Sequence, residues 1–164
     1  MIKIIIPIKA GYGIPQIVLD GIASQLTETE LVVSEMEPIP DVDRELSINA
    51  NRHRLQGMII DSVYVDKYIV LMDSDVVMTD PTAISSMCKY LDDNEWCGCV
   101  AIDTKGYTDP THVVCACAVI RYDVYSNIDF LTTSQCQCCL VASYCKSQYL
   151  YEVSAYELER TVKK

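Results

Sequence analysis

Residues 2–8, Ile-Lys-Ile-Ile-Ile-Pro-Ile, are β-branched and almost continuously apolar, and no other stretch limits the fold as strongly. A strand with one face in water alternates apolar and polar residues, whereas a strand apolar along its length is buried on both faces. Such a strand needs a sheet covered by a layer on each side. The following segments can supply those layers. In IPQIVLDGIASQL, Ile14, Ile17, Val18, Ile22 and Leu26 recur at helical spacing, with Pro15 near the start. ELVVSEME reads as a second strand, and a helix over 44–60 follows, capped by Asp43, with Leu46, Ala50, Leu55, Met58 and Ile59 directed inward. Residues 68–72, YIVLM, read as a third buried strand.

Further along, a helix is expected over 81–91, with Thr79 and Asp80 able to cap it. Strands follow over 97–102 and 113–121, separated by the polar loop DTKGYTDPTH. The spacing then predicts a helix over about 135–148 and a charged C-terminal helix from about Ser154. Strand–helix alternation of this kind specifies an α/β fold: a mostly parallel, twisted, Rossmann-like sheet with helices on both faces. The 164 residues suit one domain, and half of them are hydrophobic, enough for a sizeable core. In open sheets of this type, ligands sit outside the carboxyl ends of the strands.

The charge balance narrows the function. Thirteen Lys and Arg against 23 Asp and Glu give a formal net charge of −10, which disfavours nucleic acid and anionic membranes as partners. No stretch approaches a membrane span, and MIKIIIPIKAGYG lacks the cationic start and cleavage site of a signal peptide, so a cytoplasmic location is expected. Nine cysteines cluster as Cys97/Cys99, Cys115/Cys117 and Cys136/Cys138/Cys139, with Cys88 and Cys145 alone. The two CxxC pairs of a usual zinc site are not present. Residues two apart on a strand share a face, so Cys97 with Cys99 and Cys115 with Cys117 read as buried small apolar residues. Disulfides and a metal remain alternatives. Cysteine richness, with eleven Tyr to one Phe, suits a chain from a thermophilic archaeon or its virus, and then a host-cytoplasmic location.

The third strand runs directly into Asp73-Ser74-Asp75. With 14 aspartates in the chain, about one Asp-x-Asp pair arises by chance, and Asp41/Asp43 in an acidic loop is read as exposed and cap-forming. The 73/75 pair differs in its context. Two carboxylates at the ligand rim repel each other unless a cation sits between them. Mg²⁺ or Mn²⁺ bound to substrate phosphates meets that need, because such ions take one or two carboxylates plus phosphate oxygens. The competing reading is that these aspartates cap the next helix or face water.

IKIIIPIK, IPQIVLDGIASQ, NANRHRLQGMII and DKYIVLMDSDVV, in that order and spacing, resemble the N-terminal half of a GT-A glycosyltransferase. The likeness is greatest to the large inverting family typified by processive and non-processive sugar synthases. It covers about residues 1–105, implying a nucleotide-sugar-binding half, with 106–164 as the acceptor-side half of a single 1–164 domain. The resemblance implies that Pro7, Ile8 and Lys9 line the base and ribose and that Glu35 meets the base. It implies further that Arg52 approaches the nucleotide or its phosphates, that Asp73 lies near the ribose and metal, and that Asp75 coordinates the metal bridging a diphosphate. It also implies a nucleoside-diphosphate sugar as donor, and the acidic surface suits a protein or glycan acceptor.

The second half departs from that pattern. Where the family places a Glu-Asp pair whose aspartate is the general base, this chain reads Cys136-Gln137, and glutamine takes no proton near neutral pH. Three explanations follow. Asp103 or Asp129 supplies the base, the reaction retains configuration, or the fold binds without transferring. His112, in a loop before a strand, is a further ligand candidate, and His53 is the only other histidine. Sugar-phosphate nucleotidyl transfer is the rival enzyme class, although KAGYGIP offers Lys9 as its single cation.

Overall fold

Residues 2–8 are buried without exception, as a strand covered on both faces requires. The computed structural model describes residues 1–37, 39–60, 66–102, 116–131, 136–150 and 155–158. Its first half contains strand β1 (Ile2–Lys9), helix α1 (Gln16–Ala23), strand β2 (Thr29–Met36), helix α2 (Arg44–Ile60), strands β3 (Tyr68–Met72) and β4 (Val76–Met78), and helix α3 (Ala83–Asp93). The second half contains β5 (Cys99–Ile102), β6 (Cys117–Arg121), α4 (Tyr122–Asn127), α5 (Gln137–Tyr144), β7 (Ser147–Leu150) and β8 (Ala155–Glu157).

Six strands form one sheet in the order β2-β1-β3-β6-β5-β7, and β4 pairs with β8 in a separate two-stranded sheet. Strands β2, β1 and β3 are mutually parallel, and β5 is parallel to β7. Strand β6 alone opposes its neighbours β3 and β5. All of β3 and β5 is buried, so both faces of the sheet centre are covered. Helices α1 and α3 share one layer: Leu26 N–H donates to Pro81 O at 2.9 Å, and Ile84 N–H to Gln25 Oε1 at 3.2 Å. Helices α2, α4 and α5 pack as the other. The one charge inside β1, Lys3, reaches Glu30 on the neighbouring edge strand at 2.8 Å, which accounts for a cation within an otherwise apolar run.

The register of α2 differs from the expected one. Leu55 and Ile59 face the core, but Leu46 is 37% and Met58 57% exposed, and Ala50 is half-buried. The inner stripe is instead Asn49, Arg52 and Gln56, all buried. The helix is turned this way because it covers backbone as well as side chains. Gln56 Nε2 donates to Tyr125 O (2.7 Å) and Ile128 O (2.9 Å) at the end of α4, adding to the bond that Tyr125 O already accepts from Ile128 N–H (3.2 Å). On α1, Val18 and Ile22 are buried while Ile17 and Leu26 are exposed, the helix ending before Leu26.

The helix expected over 135–148 stops at Tyr144, and its last residues form β7 beside β5. The C-terminal helix expected from Ser154 is replaced, among the described residues, by β8 paired antiparallel with β4. Both segments find a partner strand far away in sequence, which local periodicity does not register. The strand expected over 113–121 is β6 from Cys117, with 113–115 outside the described residues. Cys97, Cys99 and Cys117 are buried thiols, and no disulfide joins the eight described cysteines. No helix among the described residues is long and apolar enough to cross a membrane.

Candidate functional site

The order β2-β1-β3 means that the chain leaves β1 to one side to form β2 and then returns to its other side to form β3. The crevice between the carboxyl ends of β1 and β3 is therefore a topological switch point, where open α/β sheets bind ligands. The ladder here is incomplete. Strands β1 and β3 pair only at Lys3–Ile69, Ile4–Val70 and Ile5–Leu71. Beyond Ile5 the strands are no longer laddered, and Pro7, which has no N–H to donate, lies at that opening. Extending the register by two residues sets Asp73 level with Pro7, and Pro7 is paired with Ser34 of β2. Ser34, Pro7 and Asp73 thus lie in a row across three strands, about 10 Å from end to end at the usual strand spacing.

Each part of this row is fixed locally. Asp73 N–H donates to Ala116 O at 2.8 Å, and Val76 N–H to Asp73 O at 3.3 Å, so the chain turns sharply as it leaves the sheet. Asp75 O accepts from Leu158 N–H at 2.7 Å, the hydrogen bond that continues the β4–β8 ladder. The Asp73-Ser74-Asp75 turn is held at both ends by backbone while its side chains remain half-buried at the rim. Oδ1 of Asp75 is sealed from solvent. The Asp73 carboxylate lies close to the Cys117 thiol, whose pKa is pushed up to about 12, first by burial and then by that negative charge.

Another aspartate shapes the turn into α3, whose N-cap is Thr82 with no side-chain capping bond. Asp80 Oδ1 accepts from the Thr82 N–H (2.8 Å) and Oγ1 (2.7 Å) in the turn that starts α3, and these bonds lower its pKa. Asp41 and Asp43 are exposed, Asp41 at φ 60 and Asp43 accepting from Leu46 N–H (3.4 Å) at the start of α2. Asp73 and Asp75 are therefore not needed to begin either helix.

On the far side of the crevice, Pro7 and Ile8 are buried and Lys9 is exposed, its Nζ 5.4 Å from the Tyr12 ring centroid. Glu35 is level with Ile8. The arginine at this edge is Arg54, which the sequence reading passed over. Its Nη2 donates to Ser34 Oγ (2.8 Å) and Glu35 O (3.0 Å), fastening α2 to the end of β2. Arg52 faces inward beside Tyr125, where its positive charge partly offsets the effect of burial, which raises the phenol pKa.

Asp103 and His112 lie outside the described residues, and β5 ends at Ile102 immediately before Asp103. Asp129 is exposed at a turn after α4. Its N–H donates to Tyr144 Oη (3.0 Å) and its Oδ1 accepts from Leu131 N–H (3.0 Å). Gln137 opens α5 and is buried, its Nε2 making no hydrogen bond. One further grouping was missed. Cys136-Gln137-Cys138-Cys139 is itself a CxxC, obscured by the extra cysteine, and Cys136 Sγ lies 3.3 Å from Cys139 Sγ.

No family model matches the sequence, and no curated protein matches it. Solved structures do. One is the mannosyltransferase PcManGT from Pyrobaculum calidifontis in complex with GDP-Man and Mn²⁺ (TM-score 0.65, 12% identity, 98% of this chain and 58% of that chain). Another is Staphylococcus aureus TarS 1–349 in complex with UDP-GlcNAc (TM-score 0.63, 12% identity, 97% and 58%). A third is CMP:2-keto-3-deoxy-manno-octonic acid synthetase complexed with CTP (TM-score 0.55, 12% identity, 93% and 91%). This chain spans a little over half the length of the first two. The likeness establishes the fold, the Rossmann-like GT-A fold of glycosyltransferases.

Proposed function

We propose that this chain is a small, metal-dependent glycosyltransferase whose donor is a nucleoside-diphosphate sugar bound across the carboxyl ends of β2, β1 and β3. The observation that supports the reading is that the Asp73-Ser74-Asp75 turn directly follows β3 beside the carboxyl end of β1, with Asp73 level with Pro7 in the extended register and neither aspartate needed for capping. The row from Ser34 to Asp73 has the extent of a nucleoside. In this reading Pro7 and Ile8 form the apolar floor under base and ribose, Glu35 and Lys9 flank it, and Asp73 lies by the ribose. Arg52 is proposed to act from within α2, and Arg54 to set the position of the β2 end.

The donor set at the turn fits a hard divalent cation, since two carboxylates offer oxygen ligands and leave positions for diphosphate oxygens. Asp75, with Asp73, would hold Mn²⁺ or Mg²⁺ there. When bound, the ion offsets charge that builds on the leaving diphosphate. GDP-Man with Mn²⁺ in the mannosyltransferase and UDP-GlcNAc in TarS are the ligands of proteins with this fold, and they support the choice of donor class.

The acceptor hydroxyl must lose a proton, and Gln137 cannot accept it. Asp103 is the favoured base because it directly follows the last residue of β5, at the end of the sheet where ligands bind. Asp129 is the less favoured one, because its carboxylate is occupied in a turn. The net charge of −10 favours a protein or glycan acceptor over a polyanion. Nucleotidyl transfer is the second reading, supported by the likeness to the CMP-sugar synthetase. Product analysis separates the two. With Mn²⁺ and a panel of sugar nucleotides, release of nucleoside diphosphate, lost in Asp75→Asn, supports glycosyl transfer. Pyrophosphate released from nucleoside triphosphate and a sugar substrate would replace it with nucleotidyl transfer, and no turnover with any substrate would leave a binding module.

A further inference from the structure

The cysteines fall into two environments. Cys97, Cys99 and Cys117 are fully buried. Burial pushes the thiols of Cys88 and Cys117 up to about 12, so both stay protonated and inert. At the start of α5 the situation differs. Cys136 is the N-cap and Cys139 the third helical residue, both half-buried, with their sulfurs 3.3 Å apart.

N-cap and third-residue side chains converge in a helix, which is why capping residues pair at this spacing. No side-chain hydrogen bond caps α5. A disulfide has its sulfurs about 2.05 Å apart, so the pair needs to close by roughly 1.2 Å. Cys139 also lines an open cavity of about 540 Å³, together with Trp96, Ala142, Ser143, Cys145 and Lys146. A cavity of that volume admits a small peptide-sized molecule.

We infer that Cys136 and Cys139 form a redox-active dithiol that exchanges with low-molecular-weight disulfides to give a reversible Cys136–Cys139 bond. Cys139, which faces the cavity, loses its proton and attacks one sulfur of the small disulfide. That S–S bond breaks, and the departing thiolate takes up a proton. Cys136 then loses its proton and attacks Sγ of Cys139 in the mixed disulfide, expelling the second small thiol. Two protein thiols and one small disulfide become one protein disulfide and two small thiols, so electrons and protons balance. The new bond ties the N-cap to the third residue and closes the first turn of α5 around Gln137. The inference is independent of the nucleotide-sugar reading, because it rests on the start of α5 and the cavity beside it.

The test equilibrates the native full chain in buffers of oxidised and reduced glutathione of graded ratio. Accessible thiols are then alkylated, and the chain is digested and examined by mass spectrometry. The expected result is a peptide containing residues 136–139 that loses two alkylatable thiols and two hydrogens as the buffer becomes oxidising, and regains both on reduction. Cys136→Ser and Cys139→Ser each abolish the internal bond and leave Cys139 or Cys136 as a glutathione adduct or free thiol. Cys138→Ser and Cys145→Ser leave it intact, which separates specific pairing from general oxidation. A bond that survives Cys136→Ser or Cys139→Ser, a Cys99–Cys145 bond in its place, or no oxidation while the chain is folded would each overturn the inference.

Discussion

Two glycines mark how differently the two sides of the sheet are built. On the β1–β3 side, Gly21 of α1 lies under β4, where an added Cβ would meet Met78 O at 2.9 Å. On the β5–β7 side, Gly98 lies against the chain leaving α5, where an added Cβ would meet Cys145 Cβ at 2.3 Å. The first close approach positions the strand that follows the aspartate turn. The second holds a sheet edge: Gly98 N–H donates to Lys146 O (2.9 Å), and Gly98 O accepts from Arg121 N–H (3.0 Å). One side therefore uses tight packing to place carboxylates at a rim, and the other uses it to join short strands.

The sharpest way to break that contrast is to fill both gaps. Gly98→Ala is expected to have the largest effect, about 3 kcal/mol, at the upper end of overpacking costs because Cys145 Cβ is not the tip of a flexible side chain. Gly21→Ala is expected to cost about 1–2 kcal/mol, since the neighbour is a carbonyl of a short strand that can give slightly. Urea unfolding reads both losses, and nucleotide titration separates them further. Gly21→Ala is expected to weaken nucleotide binding and folded Gly98→Ala to retain it.

The two sides are joined through Gln56, whose amide reaches two carbonyls of the α4 end from the buried face of α2. Gln56→Ala removes this donor from Ile128 O in a buried setting, while Tyr125 O keeps its bond from Ile128 N–H, an expected loss of about 1–2 kcal/mol. A single cooperative transition by near-UV and far-UV probes is expected in the wild type. Loss of coincidence in Gln56→Ala would show that this contact couples the sides.

How much was legible in the sequence follows the same division. Strand β3 and helix α2 have the expected bounds, and β1 runs one residue longer, because two-sided burial and helical periodicity are local signals. The position of the aspartate pair at the end of a buried strand was legible in the sequence. The inward polar stripe of α2 was not, since its partners are backbone carbonyls of α4. Nor were β7 and β8, short strands whose partners β5 and β4 lie about 50 to 80 residues earlier in the chain. Arg54 was not legible because its partners, Ser34 Oγ and Glu35 O, lie about 20 residues earlier on β2. Cys136 and Cys139 were hidden by Cys138 between them.

A smaller effect is expected at the amino ends of the strands. Asp92 accepts from Lys67 Nζ and Tyr68 Oη (2.6 Å), and Asp66 from the N-terminal ammonium (2.7 Å), and these bonds lower both carboxyl pKa values. A carboxyl whose folded pKa is depressed adds stability above its unfolded value, about pH 4, and loses it as pH falls through the folded value. Urea midpoints of Asp66→Asn and Asp92→Asn should therefore fall less steeply than wild type below about pH 4 and converge with it as pH falls through the folded values. Both pairs are exposed, so the neutral-pH loss should be small.

The central claim is that the β1/β3 crevice, with its aspartate turn, binds a nucleoside diphosphate through a divalent metal. Calorimetric titration of GDP, UDP and ADP, with and without Mn²⁺, on wild type and Asp75→Asn tests it most directly. One nucleotide is expected to bind in the presence of Mn²⁺, with affinity falling about 100-fold, roughly 2.8 kcal/mol, when either the ion or the Asp75 carboxylate is removed. Equal affinity with and without Mn²⁺, or an Asp75→Asn chain that binds as well as wild type, would contradict it.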